Sequence, residues 1–232
     1  MHLQRTKSLF TFFFFLLLVV LTFFWGQRFP ENTPNLRLVG LDGIAWLMVA
    51  LPFLWLQPQA GLPNLWEPTV YRQQRIWLPV AIGLVFGALD ILVVKMILHP
   101  EPYTELPPFL QPFPYSIGLY FSGALYVEVF YRLVPITLVL LLERIICKGK
   151  YASIAFWGIA VLSALREPLE QFPDGAWWFV AYSFASGFAF NLLQAIYLKK
   201  AGFLATLLIR LSHYLLWHIL LGVYVEYVEL AP

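Results

Sequence analysis

The stretch Ser116–Arg144, SIGLYFSGALYVEVFYRLVPITLVLLLER, constrains this chain more than any other. It is almost wholly apolar for longer than the roughly 20 residues that cross a bilayer as a helix. Near its middle stand Glu128 and Arg132, four residues apart and therefore on one helical face. An ionisable residue at that depth marks a candidate functional site by default.

Composition supports the same class. Charged residues make up 12% of the chain and hydrophobic ones 60%, against about 25% charged in a soluble domain. The apolar runs are continuous and do not alternate, which selects helices over a transmembrane barrel. The expected fold is therefore all-α, a polytopic helical membrane protein with about seven transmembrane helices in a single domain over 1–232. No polar segment is long enough for a soluble domain, and nothing points to nucleic acid. The single cysteine, Cys147, excludes an intrachain disulfide and offers no metal-ligand spacing. No Gly-rich phosphate loop, HExxH or GxSxG occurs, so no cofactor is expected.

In chain order, helices are expected over roughly 8–26, 39–56, 76–98, 116–144, 151–165, 177–198 and 203–225. The first follows Arg5 and Lys7 and is long, with no small-x-small cleavage site after it, so it reads as a retained helix and not a signal peptide. Pro52 and Pro135 are expected kinks. Gly83 with Gly87, and Ser183 with Gly187, form faces on which another helix can approach closely. Asp90 and Lys95 read as an internal ion pair or a snorkelling lysine. The segment from His99 to Ser116 holds six prolines and is expected to be a loop.

Lys and Arg set the expected orientation. Alternate connecting segments hold Arg5, Lys7, Arg72, Arg75, Arg144, Lys148, Lys150, Lys199 and Lys200; the others hold Arg28, Arg37 and Arg166. The N-terminus is expected in the cytoplasm of a cell whose plasma (inner) membrane houses the protein, and the C-terminus outside.

Three helices bring polar groups to mid-membrane depth. With about 1.5 Å of rise per residue, Glu128 and Arg166 lie roughly 22 Å in, and His213 roughly 16 Å. Arg210, His213, Tyr214 and Trp217 share one face of the last helix, while His218 points away from it. Glu128 and Arg132 can be a static strut, or part of a catalytic or transport site; the residues alone leave both open. Two histidines and one carboxylate on separate helices make a poor metal site.

The motif Gly123-Ala-Leu-Tyr-Val-Glu-Val-Phe-Tyr-Arg132 resembles the first motif, EExxxR, of the CPBP intramembrane proteases, which include the CAAX prenyl endopeptidases and bacteriocin-processing proteins. The parts that follow are in similar order: Leu162–Arg166 where the family has FxxxH, Gly187–Tyr197, the Ala201-Gly202 turn, and His213–Trp217 where the family has HxxxN or HxxxD. The resemblance covers 116–221, with 1–115 as N-terminal helices and loops. It implies an intramembrane endopeptidase acting on a membrane-embedded or prenylated peptide. Carried over by position, Glu128, Arg132 and His213 would be the catalytic residues. Arg166, Arg210, Trp217 and His218, the last an alternative motif histidine with Gly222 as its partner, are further candidates.

The departures are specific. Val127 replaces the glutamate that would activate water, Arg166 replaces the second-motif histidine, and Trp217 replaces the amide or carboxylate partner of His213. The family mechanism is therefore expected to be weak or lost. A catalytically inactive binding, immunity or assembly factor of the same fold is the alternative. A transporter or channel is a third reading, weakened by the absence of an internal repeat.

Overall fold

The computed structural model describes residues 2–30, 33 and 35–231. Among them, six helices are long and apolar enough to cross a membrane: α1 His2–Gly26, α3 Gln73–Leu98, α4 Tyr115–Cys147, α5 Ala152–Glu170, α6 Trp177–Ala201 and α7 Phe203–Glu229. A seventh, α2 Leu41–Leu56, is shorter. At about 24 Å long it falls below the roughly 30 Å of the hydrocarbon core. The all-α, polytopic membrane class follows directly from these helices.

Three helices differ in detail from expectation, each for a local reason. α2 is interrupted at Met48–Val49. Pro52 has no N–H for the carbonyl of residue 48, so the break falls one turn before the proline. α5 does not stop at Arg166 but runs through Pro168 to Glu170, because a proline in a last turn costs little that the fraying end had not already lost. Arg166 is thus a turn inside the helix and not at its end. α4 widens into a π turn over Val129–Leu133, directly after Glu128 and just before Pro135.

The chain forms two compact units, each assembled from several separated segments. The first comprises Met1–Phe10, Val49–Pro79 and Val127–Leu207. Its centre is the π turn of α4, packed by the second half of α2 and by α5 and α6. The close-packing face expected at Gly187 is present: a Cβ there would come within 3.2 Å of Pro168 on α5. Gly202 joins α6 to α7 with φ of 85°, and a side chain there would meet the carbonyls of Pro63 and Asn64 at 2.8 and 2.9 Å. Glycine serves both needs.

The second unit comprises Thr11–Met48, Val80–Tyr126 and Leu208–Pro232. The expected face at Gly83 and Gly87 packs here on the α7 backbone. A Cβ at Gly83 would strike the Ile209 carbonyl, and one at Gly87 would lie 2.9 Å from the His213 carbonyl. The proline-rich segment between α3 and α4 is not helical, as expected, and folds onto α7. Leu110 packs with Leu221 and Val225, joined by Phe109 and Trp217. Two acids of the last helical turns hold it: Glu229 accepts from the Tyr103 amide at 2.8 Å and Glu226 from the Phe113 amide at 2.9 Å. Lys95 pairs with Glu229 at 2.8 Å, so its buried charge is met by α7. Burial, with Glu229 nearby, pushes the Tyr103 phenol above its ordinary range.

Candidate functional site

Glu128, Arg132 and Arg166 belong to the first unit; Arg210, His213, Trp217 and His218 belong to the second. In the first unit, the Glu128 and Arg132 side chains are wholly enclosed by protein. Thr206 donates its hydroxyl to the Glu128 carboxylate. Arg132 donates to the side-chain carbonyls of Asn191 and Gln194, the latter at 2.8 Å. The Glu167 carboxylate lies 3.7 Å from the same guanidinium nitrogen. Asn191 is itself anchored through its amide to the Gly187 carbonyl at 2.8 Å. Four helices thus meet in a polar node built on the π turn, with α6 supplying two neutral amides one turn apart.

A second feature stabilises that turn. Pro135 has no N–H to give the carbonyl of Tyr131 four residues back. The Ser163 hydroxyl of α5 donates to that carbonyl instead. The backbone group freed by the proline is satisfied by a neighbouring helix, as the bilayer interior requires.

Arg166 stands where the resemblance placed a histidine. Its side chain is half exposed and pairs with Glu170 at 2.8 Å, one turn on. Its guanidinium sits 4.0 Å over the Tyr131 ring, and the Tyr131 hydroxyl donates to Glu170. A guanidinium always carries its proton, so Arg166 has no base function here.

In the second unit, His213 Nε2 donates to the Asp90 carboxylate at 2.7 Å. The glycine face of α3 makes this contact possible, because it brings the two backbones together at His213. The expected pairing of Asp90 with Lys95 resolves into two separate contacts across to α7: Asp90 with His213, and Lys95 with Glu229. Arg210 is buried and donates to the Tyr214 hydroxyl at 3.2 Å.

His218 differs from its expected isolation. A π turn over Leu215–Leu220 closes hydrogen bonds five residues apart and swings the later side chains round the axis. The His213 and His218 rings end with centroids 6.4 Å apart. Their tasks remain distinct. His218 Nδ1 donates to the Phe109 carbonyl at 2.7 Å and its ring stacks on Tyr120 at 4.2 Å. Trp217 stacks on Phe109, centroids 5.0 Å apart and rings 3° from parallel. Both hold the proline-rich segment. Gly222, the partner position for His218, faces Gln111 and Leu110 of that segment at van der Waals distance.

Thr206, Asn191, Gln194 and Ser163 are partners that sequence reasoning left unassigned, and Asp90 was read with Lys95 and not with His213. Asn191 and Gln194 carried a signal, as two amides a turn apart in an apolar helix. Asp90 carried another, through the glycines one and two turns before it. No group of His, Cys, Asp and Glu able to hold a metal ion occurs among the described residues. Comparison of the chain with known protein families, with characterised proteins and with solved structures finds no match.

Proposed function

We propose that this chain is a divergent CPBP-type intramembrane endopeptidase-like protein that binds a membrane-embedded or prenylated peptide, and that the family's own route to water activation is eroded in it. The order of the short motifs over 116–221 supports the scaffold. The observation that carries the reading of the site is the enclosure of Glu128: fully buried, bonded by Thr206, and next to a π turn whose arginine is held by Asn191 and Gln194. A carboxylate with no exposed surface, held by a buried hydroxyl from another helix, is placed as a strut. Val127, which stands where a second carboxylate would be, brings no oxygen to replace it.

The orientation belongs to the same reading. Connecting segments holding Arg5, Lys7, Arg72, Arg75, Arg144, Lys148, Lys150, Lys199 and Lys200 alternate with segments holding only Arg28, Arg37 and Arg166, and the positive-inside rule favours the first set, with the N-terminus, on the cytoplasmic side of a plasma (inner) membrane.

A purely binding role is favoured by one contact, the stacking of Trp217 on Phe109, which puts an aromatic plate where the resemblance expects an oxygen. A peptide-cleavage assay tests the assignment. Wild type and the triple variant Val127→Glu, Arg166→His, Trp217→Asn are compared in detergent on a quenched peptide with an apolar anchor. The reading expects slow turnover for wild type and a gain of at least tenfold for a folded triple variant. A folded triple variant with no gain removes the support for the CPBP assignment.

A further inference from the structure

We propose that one end of the first unit is a binding surface for anionic phospholipid headgroups. The occupant is the leaflet around the helix ends, and the group recognised is the lipid phosphate. This surface lies away from the Glu128–Arg132 node and is independent of peptide binding.

The loop from Gln57 to Arg72 gathers that end of the unit. The Ser8 hydroxyl, near the start of α1, accepts from the Leu65 amide at 3.2 Å. The carbonyls of Pro63 and Asn64 lie against Gly202, the residue after α6. The Arg144 guanidinium, near the end of α4, lies directly over Gly61, where any side chain would strike it. The Glu143 carboxylate accepts from the Tyr151 amide at 2.8 Å, which ties the start of α5 back to α4. Basic segments far apart in sequence thus meet round one loop.

Charge here is not balanced within the protein. Arg72, Arg144, Lys148, Lys150, Lys199 and Lys200 are all exposed. None of the six forms an ion pair among the described residues. The acids of the same segments are Glu67 and Glu143. Glu67 accepts from the Asn64 side-chain amide at 3.1 Å, and Glu143 is buried against Tyr151. Like charges gathered on one face repel unless an anion joins them. Helix capping explains only part of the set. Lys199 and Lys200 stand in the last turn of α6, where a cation meets the helix dipole favourably. Arg72 and Arg75 stand at the start of α3, where the dipole opposes a cation.

The surroundings favour lipid over a soluble acidic partner. Arg72 lies 5.4 Å over the Trp77 ring, Arg75 5.8 Å over Trp66 and Lys150 5.1 Å over Tyr151. All three rings are exposed. Exposed Trp and Tyr beside Lys and Arg at the ends of spanning helices belong at headgroup level, where the ring meets acyl chain and the cation meets phosphate. Clusters of four to eight Lys and Arg next to membrane helices attract anionic lipid.

The test places the full chain in nanodiscs with a fluorophore on Cys147, the single cysteine and the neighbour of Lys148. Quenching is compared between phosphatidylglycerol and phosphatidylcholine that carry the same quencher high on the acyl chain, at equal mole fraction. Wild type is expected to prefer phosphatidylglycerol by at least about fivefold, the worth of roughly one cation at an anionic surface, and high salt should weaken the preference. Replacing all six cations with Gln should bring the ratio near one, whereas Arg28→Gln, outside these segments, should leave it unchanged. If the sixfold variant does not fold, Lys148→Gln, Lys150→Gln, Lys199→Gln and Lys200→Gln combined carry the test, with at least half of the preference lost. Equal quenching by the two lipids in wild type overturns the proposal. So does a preference that survives in the folded variants, or one that Arg28→Gln alone removes. Poly-glutamate that binds in phosphatidylcholine nanodiscs more tightly than phosphatidylglycerol does overturns the lipid assignment in favour of an acidic partner.

Discussion

The carbonyl of Tyr131 shows how a single residue's needs shape this protein. Pro135 cannot donate to it, and an unmet carbonyl in hydrocarbon costs several kcal/mol. Ser163 supplies the hydroxyl. Ser163→Ala is therefore expected to destabilise by about 1–3 kcal/mol. In a Pro135→Ala background the restored N–H can bond to Tyr131, and the cost of Ser163→Ala should shrink markedly. Chemical or thermal unfolding of the four proteins of this double-mutant cycle measures the coupling; equal costs in both backgrounds would contradict it. At this scale the sequence was half legible. Glu128, Arg132 and Pro135 stand out because charge and proline are rare in an apolar run. Ser163 and Thr206 do not, since hydroxyls are common in such helices and only packing decides which one finds a partner.

Among the elements, the glycine faces were the best guide to what lies against what. Gly83 and Gly87 mark where α3 meets the backbone of α7, and Gly187 marks where α6 meets α5 at Pro168. The expected consequence is sharp. Gly83→Ala drives a methyl group into the Ile209 carbonyl and Ser212 and should cost about 1–3 kcal/mol, as overpacking does. Gly158→Ala in α5 meets nothing within 4 Å and should instead stabilise by about 0.5–1 kcal/mol through helix propensity. Melting temperatures of the two variants in one detergent check the contrast, and equal shifts would contradict it. Helix ends were harder to read. Prolines 52 and 168 look alike in sequence, yet one interrupts α2 a turn upstream and the other is carried inside the last turn of α5. The difference is whether the freed carbonyl lies in mid-helix or near an end already short of donors. The nearness of His213 to His218 was invisible for a related reason, because a π turn changes the angular bookkeeping that a regular 3.6-residue helix implies.

For the whole molecule, charge and polarity divide the labour. The first unit is rich in basic residues and holds its central charges in an enclosed node; the second anchors a proline-rich segment with Glu226, Glu229, Trp217 and His218 and carries the partly open Asp90–His213 pair. Cys147 closes α4 in the first unit beside Lys148 and Lys150. The proposed orientation, with the N-terminus in the cytoplasm, predicts that it resists an impermeant thiol reagent in intact cells and reacts once the membrane is opened; ready labelling from outside would overturn the orientation. The class, the helices and the membrane-embedded charges were legible from composition and spacing. The partners were not, because one sequence states which helices have polar faces but not which faces meet. The central claim is that the Glu128–Arg132 node holds the fold and does no chemistry. Its most direct test is Glu128→Gln, followed for both thermal unfolding and peptide turnover per folded molecule, with Arg132→Met alongside. Disrupting a buried charged node should cost about 3–5 kcal/mol, so a clear drop in melting temperature with turnover per folded molecule unchanged for Glu128→Gln is the predicted result. Unchanged melting with abolished turnover would make Glu128 the base and contradict the account.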